Sequence, residues 1–182
     1  NWIATVLLVE VDATRRDDAI HKILRCLDCF VDPYPIDGGC DEGPSYWGRA
    51  GASLFDCLEL LHKASDGAID LYDEPLIADI GRFIYRVHIG GDDYINFADA
   101  PAIVTPDAAL VHAYGHAIDD EPMQQHGAAL ATRYAGRSSA NVDLGRRLRQ
   151  LTSAKDLAAK TGASPLPRDV WLDQIQVMVA RD

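Results

Sequence analysis

Positive charge is what this sequence is short of: 17 lysines and arginines stand against 28 aspartates and glutamates, a formal net charge of −11. Binding a phosphate backbone draws on clustered Lys and Arg to release counterions, so the deficit argues against a broad nucleic-acid surface and no nucleic-acid partner is expected. Long apolar runs are missing too. The stretch Ile3 to Val9 is far short of the ~20 residues a membrane helix needs, so no membrane insertion is expected. No basic leader precedes it, and the chain opens on Asn1 rather than Met, from which a processed or partial chain is expected.

Cysteine is sparse. Cys26 and Cys29 are three apart, but there is no second such pair to complete a zinc site with them. They fall on a helical pattern whose apolar positions include Cys26, so they read as buried structural thiols, with a single disulfide between loop and helix as the main exception. His112 and His116 are one helical turn apart and would face the same way. Asp119, Asp120 or His126 could join them on a divalent ion. The glutamate that a metalloprotease carries beside its first histidine is absent, and two partly exposed helix histidines are the plainer reading. No metal site is therefore expected in this chain.

What is present is helical patterning in a composition of 48% apolar and 25% charged residues, that of one ordinary globular domain. Ile20, Ile23, Leu24, Leu27, Phe30 and Val31 make one stripe. Trp47, Ala50, Leu54, Cys57, Leu58 and Leu61 make a second, and Leu76, Ile77, Ile80, Phe83, Ile84 and Val87 a third. Asp17 with Asp18, Pro44, Asp73 to Pro75, Thr105 with Pro106, and Glu121 with Pro122 supply helix starts. Turn-rich loops over 32–43, 65–72 and 90–105 separate them, with a later break over 136–140. Starts about every 30 residues suit stacked helical hairpins. Leu144, Leu148 and Leu151, interleaved with Arg146, Arg147 and Arg149, read as a packed helix with a solvated basic face. Only Gln174 to Ala180 alternates at the two-residue period of a half-buried strand, with no partner evident.

The densest chemistry lies in Asp37 to Trp47, DGGCDEGPSYW. Its glycines and Pro44 describe a loop feeding a helix start, with Tyr46 and Trp47 beside Asp41 and Glu42. Tyr46 is a candidate proton donor. Glu42 is a candidate acid or base when paired with a distant carboxylate such as Asp99. Trp47 and Trp171 are candidate sugar-stacking surfaces, and Arg49, three positions past Tyr46, would bring positive charge near the phenol. Arg82 and Arg86 could add to a cationic cleft, although solvated helix charges describe them as well. In YINFADA, Tyr94 to Ala100, Asn96 and Asp99 would project into a cleft or form an Asx turn.

These residues together, DGGCDEGPSYW, the following GRAGASLFDCLELL, YINFADA, and the run from GRRLRQL to PRDVWLDQIQVMVARD, resemble bacterial proteins of the heparinase II/III-like superfamily of polysaccharide lyases. The resemblance implies a mainly α fold, an incomplete (α/α) toroid of helical hairpins over 1–168. Residues 169–182 would then be a linker and the first strand of a following β-sandwich domain. It implies β-elimination on a uronic-acid-containing, acidic polysaccharide, with Tyr46 as catalytic tyrosine and Glu42 or Asn1 neutralising the uronate carboxylate. Trp47, Arg49, Asn96 and Asp99 complete the expected substrate contacts. The catalytic histidine and a structural metal would belong to the sandwich domain, so no cofactor is expected here and this chain alone is expected to be an incomplete active site. A periplasmic or secreted location follows from the same resemblance. The alternatives are a non-catalytic carbohydrate-binding or assembly toroid, and a helical-toroid glycoside hydrolase using Glu42 and Asp99.

Overall fold

A computed structural model describes residues 1–136, 143–159, 164 and 166–181. The chain is mainly helical with two small two-stranded sheets. Helices α1 (Trp2–Val9), α2 (Ala13–Val31), α3 (Pro44–Trp47), α4 (Gly51–Ala64) and α5 (Pro75–Arg86) lead into strands β1 (His88–Gly90) and β2 (Asp93–Tyr94). Helices α6 (Ala108–Ala117), α7 (Glu121–Arg133) and α8 (Leu144–Ala159) follow, and strands β3 (Asp169–Leu172) and β4 (Val177–Ala180) come last. No helix among the described residues is long and apolar enough to cross a membrane.

The helices begin where the local chemistry directs. Asp12, Asp107 and Asp120 each accept a hydrogen bond from a backbone N–H in the first turn of α2, α6 and α7, and Pro44, Pro75 and Pro122 occupy first-turn positions that have no N–H to lose. The stripe expected over residues 47–61 does not belong to one helix. The chain turns between Trp47 and Gly51, and Gly51 packs directly on the Trp47 indole: a Cβ there would lie 2.6 Å from Nε1.

Helix α5 is the centre of the main core, with Ile80, Phe83 and Ile84 fully buried. Around it pack Trp47, Phe55, Leu110, Tyr114, Met123 and Leu130, together with Leu172, Val177 and Val179 of the last sheet. Helices α6 and α7 form a hairpin so close that a Cβ on Gly115 would lie 2.7 Å from the Gln124 nitrogen, and one on Gly127 2.6 Å from that of His112. A second, smaller core joins Ile3 and Val6 of α1 to Ile23 and Leu61.

Two expectations change here. Gln174 to Ala180 is not an unpartnered strand: residues 173–176 form a turn, and Val177–Ala180 pairs antiparallel with Asp169–Leu172. Leu172, Val177 and Val179 share the core of the helices, and Arg181 donates to the carbonyls of Arg86, His88 and Pro167. Nor are Cys26 and Cys29 buried. Both are free, exposed thiols, because α2 buries only the Ile23 side of its stripe.

Candidate functional site

The loop 37–43 is held from three sides, and its glycines are there for contact. Gly38, at φ +74°, lies against α5 so closely that a Cβ would sit 2.2 Å from the Asp79 carbonyl carbon. Gly43, at φ +94°, meets the YINFADA loop, where a Cβ would be 2.6 Å from both the Phe97 oxygen and the Ala100 methyl. Both positions need the left-handed region and the missing side chain. Asp37 fixes the third side: one carboxylate oxygen accepts from the Gly39 N–H at 2.9 Å, the other from the Gln174 N–H at 2.8 Å. Cys40 is buried within the loop, and burial pushes its thiol up to about 11.

Helix α3 then turns consecutive side chains to different sides. Trp47 points inward. It is 1% exposed, donates from Nε1 to the Ile80 carbonyl at 2.7 Å, and lies 6.5 Å from Tyr114, which in turn stacks on Phe55 at 4.4 Å. A sugar needs an open indole face, so Trp47 is a core anchor and not a stacking platform. The exposed tryptophans are Trp171, on β3, at 61%, and Trp2, on α1, at 49%. Tyr46 is open to solvent at 36%.

Beside α3 lies a cleft of about 660 Å³, walled by the α3 to α4 turn, the segment leading into α6, the end of α7, and α8. Its polar lining includes Ser45, Arg49, Asp107, Arg146, Arg147 and Gln150. Arg146 is committed, reaching Asp56 at 2.8 Å, the Gly48 carbonyl at 3.0 Å and Ser53 at 3.3 Å. Asp107 is committed as well, capping α6 through Leu110 and accepting from Gln150 at 3.1 Å. Arg49 is exposed and makes no ion pair among the described residues.

The expected site residues therefore divide. Trp47 and Arg49 line the cleft; Tyr46, Glu42, Asn96 and Asp99 do not. Glu42, Asn96 and Asp99 are exposed on two loops that touch at Gly43. Asn1 starts α1, whose Ile3 and Val6 belong to the second core, so it is apart from the others. Arg82 and Arg86 are not cleft cations: Arg82 binds Asp120 at 2.7 Å and Asp79 at 3.4 Å, and Arg86 binds Asp79 at 3.1 Å. Of the two helix histidines, His112 is buried and His116 exposed. No group of three or more metal-capable side chains occurs among the described residues.

One cluster had no sequence signal. His88 and His126 are buried with ring centroids 5.1 Å apart, and Tyr94 lies 4.6 Å from His88. His126 Nδ1 pairs with Ser164 Oγ at 2.6 Å, and His88 Nε2 with the Gly91 carbonyl at 2.9 Å. Nδ1 of His88, Nε2 of His126 and the Tyr94 hydroxyl have no hydrogen-bond partner among the described residues. Burial, with His88 and Arg181 nearby, takes His126 down to about 3. The spacing of His88, Tyr94 and His126 follows no motif, and only the fold brings them together.

No protein-family model matches this chain, and no curated protein sequence is similar to it.

Proposed function

We propose that this chain is a portion of a helical (α/α) toroid that receives an acidic polysaccharide in the α3–α8 cleft and cleaves uronic-acid-containing chains by β-elimination. The observation that carries the reading is Arg49, an exposed cation on the cleft wall that makes no ion pair among the described residues, in a molecule of strong negative charge. A uronate carboxylate is a fitting partner for such a side chain. Tyr46 lies between the cleft residues Ser45 and Trp47 in sequence and is open to solvent, so an extended sugar chain leaving the cleft passes within its neighbourhood. The α6–α7 hairpin supports the toroid reading.

In that reaction the C5 proton leaves, the C4–oxygen bond breaks and a C4–C5 double bond forms. The adjacent carboxylate resists the developing charge and must be neutralised, which is the role given to Arg49. Tyr46 donates its phenolic proton to the departing glycosidic oxygen, or takes the C5 proton where both events occur on one face. Glu42, outside the cleft lining, is given the role of orienting a sugar hydroxyl of a chain that leaves the cleft, since as an anion it opposes a uronate. The remaining member of the proton-transfer pair is assigned to a following β-sandwich domain.

The test is to incubate the full-length protein, carrying that following domain, with heparan sulfate, alginate and hyaluronan and follow the ultraviolet absorbance of unsaturated uronate. Product formation that Tyr46→Phe slows by about a hundredfold or more is expected. Equal rates for the two proteins would remove Tyr46 from the mechanism. Reducing ends without the chromophore would move the chemistry to Glu42 and Asp99, which their touching loops allow. Binding that is lost in Arg49→Ala, with no cleavage, would leave a carbohydrate-binding domain.

A further inference from the structure

We propose that Cys26 and Cys29 form a two-thiolate clamp on the outer face of α2 for a thiophilic centre, either a soft divalent metal ion or a trivalent arsenical. Both thiols are free and exposed, and they are three residues apart within a 19-residue α-helix. Helix geometry puts their Cα atoms about 5 Å apart and their Cβ atoms about 5–6 Å apart on one face. A disulfide needs Cβ atoms about 3.5–4.5 Å apart, so direct oxidation would distort the helix. A bridging centre with bonds of about 2.3 Å to each sulfur leaves the sulfurs about 3.8 Å apart and spans the gap with the helix intact.

The other cysteines do not compete. Cys40 is 3% exposed, and Cys57 is half-buried on α4, with burial pushing both thiols up. Lys22 and Arg25, both exposed, lie one turn before Cys26 and Cys29 respectively. Asp32, exposed at the end of the helix, lies one turn after Cys29, so the charge there is mixed and softness toward sulfur is what selects the ligand.

With an arsenical oxide, R–As=O plus two thiols gives R–As(S)₂ and water. Two As–S bonds form, the oxygen leaves carrying both thiol protons, and arsenic stays trivalent. With a divalent ion the two protons pass to solvent. Neither step needs an oxidant.

The full chain is titrated with phenylarsine oxide and, separately, with Cd²⁺. One equivalent of a bound probe is expected to protect two thiols from alkylation, with the protected peptide containing Cys26 and Cys29. Cys26→Ser and Cys29→Ser, each checked for native helicity by circular dichroism, are each expected to weaken binding by about a hundredfold or more, since chelation is lost. Cys57→Ser is expected to leave binding unchanged. Binding of one probe alone assigns the clamp to metalloid or to metal. Failure of both probes, parental affinity in the serine variants, or ready formation of a Cys26–Cys29 disulfide overturns the proposal.

Discussion

Replacing Trp47 by phenylalanine removes the indole N–H that reaches the Ile80 carbonyl, leaving that buried acceptor unpaired beside a void between α3 and α5. A loss of about 2–4 kcal/mol is expected, read as a lower urea midpoint with an unchanged slope. Gly43→Ala is expected to cost a similar amount, because it adds strain at φ +94° to a clash with Phe97 and Ala100. Arg49→Ala removes no ion pair among the described residues and should leave thermal stability within about 0.5 kcal/mol while weakening acidic-polysaccharide binding. Stability and ligand binding thus separate among neighbours in one short stretch of sequence. The order of small and aromatic residues marked that stretch as special without saying which side chain faces in.

Helix α8 is packed opposite to its apolar pattern. Leu144, Leu148 and Leu151 are 76%, 55% and 76% exposed, whereas Arg146 and Arg149 turn toward α4. Arg149 binds Asp56 at 2.8 Å and pairs with Glu59, its guanidinium 5.4 Å from the Phe55 ring centre. Burial pushes Glu59 up, but hydrogen bonds from Lys63 and Arg149 outweigh it and hold the carboxyl below its ordinary value. Arg149→Met should cost about 1–2 kcal/mol by removing one of two cations from each of two partly buried carboxylates, Asp56 keeping Arg146 and Glu59 keeping Lys63, while Leu148→Ser should stay within about 0.5 kcal/mol, both read by urea denaturation. The helix itself was legible from residues 144–151, and so were α2, α5 and α7. Its orientation was not, because the carboxylates that attract the arginines come from α4, 90 residues earlier. The same limit applies to Cys26 and Cys29: a stripe tells which residues can be buried, and the neighbouring element decides which are. The later break expected over 136–140 lies largely outside the described residues.

Across the whole molecule, acid is expected to act through the buried histidines. His126 is held neutral with a folded value of about 3, against ~6.5 in an unfolded chain. As pH falls through the unfolded value the unfolded chain takes up a proton that the native state refuses until about 3. Stability is therefore lost across that window, at up to about 1.4 kcal/mol per pH unit, and is level above it. Burial lowers His88 in the same direction. Urea midpoints measured from about pH 7 down to about pH 4 should fall, and less steeply in His126→Gln.

The last sheet gives this architecture an order of events. The Gln174 N–H meets Asp37 across 137 residues of chain, and the Arg181 side chain reaches back 95 residues to the Arg86 carbonyl. Loop closure of that length is slow relative to helix formation, so α1 to α7 can assemble locally while the face awaiting Leu172, Val177 and Val179 stays open. On the ribosome, that apolar face is bare until residues 172–179 emerge. Docking of the β3–β4 hairpin is thus the step that covers this face, and its timing sets how long a chaperone has to act on it.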